Sequence, residues 1–311
     1  MSAEVCNANI ELESVSCNLC GSDDLKYLYR KPDTRYFISE IEFNVVQCKR
    51  CGLAFVNPRP TCDSIDIFYP KEFYQARIVS QTTRARYEKE AKYLEEFEPG
   101  RILDIGCAEG GFLKILQSKG WEVYGTDYTD KGENIYNLDI RYGELDTIQY
   151  PSEYFDVITA WAVFEHLHDP MKYFREVSRI LKVGGSFILL VTNINSLMSR
   201  YGYGEDIPRH LYFFSERTLK AFADRVNLSL VNVDFSYDIY SNDGRDAIRV
   251  ILLRWVGVPW QSITGSGSLP SSYLRILNRM GRIAGRFLIR PSLEIRFRRA
   301  GIIVAKIKKP H

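Results

Sequence analysis

From residue 101 to residue 193, short runs of apolar and β-branched residues alternate with segments of helical spacing. No other feature of the chain restricts its fold as much. "RILDIG", "WEVYGTD", "LDIRYG", "YFDVITAW" and "SFILLVTN" read as strands, and "GFLKILQSKG", "DKGENIYNL" and "DPMKYFREVSRILKVGG" as helices. Strict alternation predicts an α/β protein with a parallel sheet covered on both faces. A charged helix, "TTRARYEKEAKYLEEFEPG", leads in and is closed by Pro99 and Gly100. A helix at "SERTLKAFADRV", a strand at "SLVNVDFS" and a terminal strand at "GIIVAKIK" follow.

The first strand hands over to its helix through Asp104, Gly106, Ala108, Glu109, Gly110 and Gly111. Small residues at such a turn let a ligand approach the backbone closely. A dinucleotide fingerprint would read G-x-G-x-x-G, and its pyrophosphate would favour bare amides with little negative charge nearby. Here the glycine pattern is a near miss and two carboxylates flank the turn, which suits a cationic or zwitterionic ligand. The next strand ends in Asp127, where an acid can take both hydroxyls of a ribose. An acid for an ammonium group, glycines for a nucleoside and an acid for a ribose together describe S-adenosylmethionine.

Taken in order, "LDIGCAEGGFL", "VYGTD", "FDVITAWAVFEHLHDP", "LKVGG" and "HLYFFSERTL" resemble the successive motifs of class I S-adenosylmethionine-dependent methyltransferases, over roughly residues 82–236 plus the terminal strand. The resemblance implies a Rossmann-like sheet of seven strands, the last antiparallel, with the cofactor across the C-terminal strand ends. By position it implies that Asp104, Gly106, Ala108 and Gly110 line the methionine end and that Asp127 holds the ribose. It also implies that Glu144 and Leu145 flank adenine and that Trp161 and Ala162 lie beside the cofactor. Ala108 stands where the family often has glycine.

Methyl transfer to a hydroxyl needs alignment, exclusion of water and a base for the departing proton. His210 in "PRHLYFF" follows the fifth strand, where loops supply acceptor contacts, and ranks first as that base. Glu165 and His166 are further candidates, read more as shaping the turn after the fourth strand. His168 reads as a surface residue, and Tyr212 as core packing rather than as an acceptor-orienting group.

Cys17 and Cys20, with Cys48 and Cys51, offer four thiolates at the spacing of two knuckles, which predicts a closed, structural Zn²⁺ site with no position for substrate. Cys6, Cys62 and Cys107 are not needed as ligands. A metal would compensate for the small core of so short a module. "CKRCGLAFVNPRPT" is similar to the zinc-binding N-terminal module of a subset of bacterial methyltransferases, and that family context implies sugar-modifying pathways. Asp23, Asp24, Asp33, Glu40 and Glu42 break any basic stripe, which argues against an RNA grip.

A net charge of +2 hides an asymmetry: from Arg245 onward there are 14 Lys and Arg against 2 acids, while the preceding 244 residues carry 27 basic and 37 acidic side chains. Arg275, Arg279, Arg282, Arg286 and Arg290 recur three or four apart beside an apolar face of Leu274, Ile276, Leu277, Met280, Ile283, Phe287 and Leu288. Such a helix can cap the acceptor pocket, form a homodimer contact or lie on an anionic membrane surface; packing as a cap is the favoured reading. The absence of a secretion-like N-terminus, of a spanning apolar run and of a disulfide framework points to the cytoplasm, with peripheral membrane contact an option.

The expected organisation is a zinc module over 1–62, a linker and lead-in helix over 63–100, a methyltransferase core over 101–244, a basic helical insertion over 245–299 and the last strand from 300 to 311. The expected activity is methyl transfer from S-adenosylmethionine to a small or glycan-linked acceptor, with a sugar hydroxyl preferred. An RNA (rRNA or tRNA) substrate, a quinone or lipid acceptor, and a catalytically silent cofactor-binding protein are the alternatives.

Overall fold

The structure, a computed structural model, describes residues 10–71, 73, 81–130, 134–201, 206–235, 237, 239, 240, 244–264 and 271–311. In the N-terminal part, β1 (Leu12–Glu13) pairs antiparallel with β5 (Arg59–Pro60), and β2 (Leu25–Pro32), β3 (Glu42–Cys48) and β4 (Ala54–Val56) form an antiparallel sheet. A short helix, α1 (Cys62–Ile65), and the lead-in helix α2 (Gln81–Lys92) follow. Helix α2 stops well before Pro99. Beyond Lys92 the amides of Tyr93, Leu94, Glu95 and Phe97 reach back three residues instead of four, so the chain tightens into turns.

The core then runs β6 (Arg101–Ile105), α3 (Gly111–Ser118), β7 (Glu122–Asp127), β8 (Asp139–Tyr142), β9 (Phe155–Trp161), α4 (Pro170–Ile180), β10 (Leu181–Thr192), α5 (Leu197–Tyr201), β11 (Tyr212–Phe213), α6 (Glu216–Asp224) and β12 (Ser229–Asp234). It is completed by β13 (Ile302–Lys308). Seven of these strands form one sheet in the order β12-β13-β10-β9-β6-β7-β8, with β13 antiparallel to both its neighbours. The central strands β6 and β9 are buried almost throughout and β10 from Ser186 onward, as the unbroken apolar runs require.

Two further helices differ from expectation. The segment "DKGENIYNL" lies partly outside the described residues (131–133), and its remainder is a turn. Asn134 clamps Leu138 through both of its side-chain amide atoms, and Asn137 adopts a left-handed φ of 50°, which a helix does not accommodate. Helix α4 is capped by the Asp169 side chain on the Lys172 amide and ends at Ile180, so β10 begins at Leu181, five residues before Ser186.

The N-terminal part and the core share one interior. Strand β11 belongs to the four-stranded sheet β11-β4-β3-β2, not to the large one, and a single apolar cluster runs from Leu19, Phe43 and Phe55 to Phe164, Phe187 and Phe213. Tyr212 is fully buried there and hydrogen-bonds Arg59 Nη1 and the His168 carbonyl. His168 is half-buried rather than on the surface, because its Nε2 donates to the Pro60 carbonyl at 3.1 Å.

The basic segment is helical: α7 (Arg245–Trp255), α8 (Trp260–Thr264), α9 (Ser272–Leu288) and α10 (Pro291–Arg296). Helices α7 and α9 cross at two glycines. A Cβ on Gly281 would come within 2.6 Å of Arg249 Cα, and one on Gly285 would run into the Arg245 carbonyl. Only glycine permits so close a backbone approach. No helix among the described residues is long and apolar enough to cross a membrane.

Candidate active site

The turn after β6 is built for backbone approach. Gly106 has φ 74°, Ala108 φ 49° and Gly110 φ 84°, all left-handed. The amides of Gly106 and Cys107 donate to the Thr126 carbonyl, and the Ala108 amide donates to Asp127 Oδ2 at 2.9 Å, so the end of β7 braces the turn.

Beside this turn, at the C-terminal ends of β6, β9 and β10, lies a cavity of about 590 Å³. Asp104, Gly106, Ala108, Trp161, Ala162, Glu165, His166 and His210 all line it, as do Glu109 and Thr192. Gly110, Asp127, Glu144 and Leu145 do not line it. Gly110 packs against Leu138 and Ile140, where a Cβ would approach within 2.9 Å. The Asp127 carboxylate is taken by the amides of Ala108 and Thr129. Glu144 sits 3.8 Å from Lys172 Nζ, and Leu145 is buried in the main core.

The sequence reading missed one wall altogether. Helix α2 contributes Thr83, Arg86, Tyr87 and Glu90, and the loop after β2 contributes Thr34 and Arg35. Tyr87 donates to Glu109 Oε1 at 2.5 Å, and Arg86 Nε faces Glu90 Oε1 at 3.4 Å as an ion pair. "RARYEKE" reads as a solvated helix, and no local pattern reveals that Glu90 is buried.

Charge accumulates here. Burial, reinforced by the charges of Glu90 and Asp127, lifts the Asp104 carboxyl well above its ordinary range despite a 2.7 Å hydrogen bond from Thr159. Burial pushes Glu90 up to about 7 and Glu165 up to about 8, the latter against the downward pull of the nearby Glu165 and Thr192 amides, which come close without hydrogen-bonding either carboxyl oxygen. His210 is pushed down to about 4 by burial, with the Arg209 and Arg35 charges helping and Asp206 opposing. The His166 and His210 rings meet edge to face, centroids 4.6 Å apart. His166 Nδ1 lies 3.0 Å from the Arg209 carbonyl, which can only accept, so Nδ1 donates there, with the Tyr69 hydroxyl 3.1 Å away.

Seven of the twelve buried side-chain polar atoms without a hydrogen-bond partner among the described residues belong to this lining: Arg86 Nε, Glu90 Oε1, Trp161 Nε1, Thr192 Oγ1, His210 Nδ1 and both Glu165 oxygens. Buried polar groups are ordinarily paired, so this concentration marks a place for a polar ligand. Two carboxyls, a guanidinium and an indole N–H among them fit a molecule with ammonium, carboxylate and nucleoside parts.

Cys17, Cys20, Cys48 and Cys51 come together in the N-terminal part, all four Sγ atoms within 4.8 Å of one another. Each pair is presented by a tight turn ending in a left-handed glycine, Gly21 (φ 72°) and Gly52 (φ 88°), whose amides bond the Cys17 and Cys48 carbonyls. Sulfur separations of 3.4 Å (Cys17–Cys51) and 3.5 Å (Cys20–Cys48) approach the roughly 3.8 Å edge of a tetrahedron with 2.3 Å metal–sulfur bonds. The cluster could therefore bind a metal ion.

The sheet order, the antiparallel last strand and the cavity at the strand ends define a class I S-adenosylmethionine-dependent methyltransferase fold. A family described as a methyltransferase domain matches residues 74–233, just over half of the chain, and the chain belongs to that family. Among curated proteins it is similar to a ubiquinone biosynthesis O-methyltransferase of Cereibacter sphaeroides, 29% identical over 126 residues, covering 38% of this chain and 51% of that protein. A probable S-adenosylmethionine-dependent methyltransferase of Mycolicibacterium smegmatis is 24% identical over 148 residues, covering 46% and 56%. The chain spans about half the length of the curated relatives it matches. A solved chain from the complex between the Haloferax volcanii Trm112 methyltransferase activator and the putative methyltransferase shares the fold, with a TM-score of 0.51 at 16% identity over 79% of this chain and 97% of that one.

Proposed function

We propose that the chain transfers a methyl group from S-adenosylmethionine to a hydroxyl of a small aromatic, quinone-type acceptor, and that its four-cysteine cluster holds structural zinc. The observation that carries the reading is the set of buried polar atoms without a hydrogen-bond partner among the described residues, gathered in one cavity of a methyltransferase-family sheet.

S-adenosylmethionine supplies a methyl group activated by a sulfonium. Asp104, Glu90 and Glu109 line the cavity, and the positive charge of a bound sulfonium and ammonium would draw the buried Asp104 and Glu90 carboxyls back toward their ionised forms. Arg86 is placed for a carboxylate, Gly106 and Ala108 for close backbone approach, and Trp161 and Ala162 for the wall beside the reacting centre. Ribose hydroxyls would compete with the Thr129 amide, 3.3 Å away, for Asp127 Oδ1. Alignment of the reactants and exclusion of water are the main contributions of the chain, on the order of 7–11 kcal/mol at best.

Glu165 carries its proton at neutral pH and so donates rather than accepts. Proton removal falls to His210, neutral across the physiological range, with His166 beside it. Phe73, Phe112, Trp161, Leu190, Tyr240 and Ile302 give the cavity aromatic and aliphatic walls suited to a flat ring. Together with the repeated ubiquinone biosynthesis O-methyltransferase relatives, these walls favour a quinone-type acceptor over the sugar expected from the sequence.

The test is turnover of labelled S-adenosylmethionine with a hydroxylated quinone precursor, nucleotide sugars and RNA side by side. Label in the phenolic ether supports the reading; label in sugar or RNA alone refutes it.

A further inference from the structure

Helix α9 presents three distinct faces. Gly281 and Gly285 press against α7. Tyr273, Ile276, Met280, Ile283 and Phe287 recur at helical spacing and are all exposed, Phe287 at 78%. Arg275, Arg279, Arg282 and Arg286 form the adjacent exposed row. This is an amphipathic helix whose apolar stripe faces away from the protein.

The neighbouring surface has the same character. Because Gly285 meets Arg245 and Gly281 meets Arg249, the two helices run antiparallel, and the end of α7 lies beside the start of α9. That end carries Ile251 and Trp255, the latter 84% exposed, and Leu293, Ile295 and Phe297 are exposed beyond α9. Scattered apolar residues are ordinary on a surface, but a continuous stripe of this kind marks a contact. None of the described residues of this segment lines the cavity.

Charge selects the occupant. Arg279, Arg282, Arg286 and Arg290 make no ion pair among the described residues, and the two acids of the segment are engaged elsewhere. Asp246 pairs with Arg249, and Glu294 is buried against Tyr237 and the Gly244 amide. A twofold dimer through this face would set arginine row near arginine row with no acids to offset them. An anionic bilayer offers what the face lacks: an apolar layer for the stripe and phosphates for the guanidinium groups.

We propose that α7 and α9 form a peripheral docking surface for anionic membranes, with the apolar stripe sunk below the headgroups and the arginines at their level. The surface is tied to the rest of the molecule, since Lys31 Nζ of β2 lies over the Trp260 ring at 5.7 Å.

Flotation of the intact protein with phosphatidylcholine vesicles, with and without a third phosphatidylglycerol, tests this independently of any acceptor. The anionic vesicles should retain the protein at low salt and release it as salt rises, whereas neutral vesicles retain little. Arg279→Gln/Arg282→Gln/Arg286→Gln should weaken retention about a hundredfold, and Met280→Asp/Phe287→Asp should abolish it. Both variants should keep unaltered circular dichroism and binding of S-adenosylhomocysteine. No retention on anionic vesicles at low salt, or equal retention of all three proteins, overturns the proposal. So does a dimer in light scattering that Met280→Asp/Phe287→Asp dissociates, because a second copy would then cover the stripe.

Discussion

Arg209 and Asp33, 176 positions apart, form a fully buried ion pair with Nη2 and Oδ1 at 2.8 Å. Asp206 completes the arrangement at 2.6 Å, and Arg209 Nη1 also bonds the Phe68 carbonyl. The pair fastens the cysteine-bearing part to the loop that carries His210. Removing one member of such a pair leaves a charge stranded. Asp33→Ala should therefore cost about 3 kcal/mol, toward the lower end for a buried pair because Asp206 remains. Urea denaturation measures this; a loss below about 1 kcal/mol would show the pair to be dispensable.

The cysteine cluster is coupled to the active site through the shared sheet, because β11, just after His210, pairs with β4. Metal analysis should find about one zinc per chain. Strong chelation, or Cys48→Ser, should loosen β4 and β11 and lower both turnover and thermal stability. Full activity in metal-free protein would contradict the coupling.

Glu165 makes stability pH-dependent. Its folded pKa of about 8 lies above the ordinary 4.5, so between those values the folded state binds more protons than the unfolded chain. Its stabilising contribution is complete below about pH 4.5 and is lost as pH rises through 8. Melting of the ligand-free protein should consequently fall more steeply from pH 5 to pH 8 in the wild type than in Glu165→Gln. Parallel profiles would remove Glu165 as the source.

His210 should act on turnover rather than on cofactor affinity. His210→Ala is expected to lower kcat by about 10²–10⁴-fold, the range for loss of a general base, while binding of S-adenosylhomocysteine is kept. With its pKa near 4, the acid limb of the wild-type profile that belongs to His210 should lie below about pH 5. Should His166→Ala alone abolish turnover, the base would be His166.

What the sequence revealed followed from local pattern. Alternating periodicities announce the sheet, and glycines beside Asp104 announce the turn because left-handed backbone there demands small residues. The cysteine spacing similarly presages the cluster. What it concealed is assembled over distance. Tyr87 and Glu90 sit on a helix whose composition suits solvent, and they are buried only by docking against the core, where Tyr87 meets Glu109 and half-buried Arg86 pairs with Glu90. The strand at Tyr212 and Phe213 pairs with residues more than 150 positions earlier, so "HLYFF" gives no hint of which sheet it joins. Asp127, read as a ribose ligand, is engaged by the amide of Ala108, a contact set by how β7 meets the turn.

The central claim is that the cavity at the strand ends receives an adenosyl amino acid. Titration calorimetry of the intact protein with S-adenosylhomocysteine tests it most directly. One site per chain is predicted, with affinity reduced at least tenfold by Arg86→Ala and by Gly106→Val, whose side chain would collide with Val163. Absence of heat from properly folded, metal-loaded protein, or binding indifferent to both substitutions, would contradict the account.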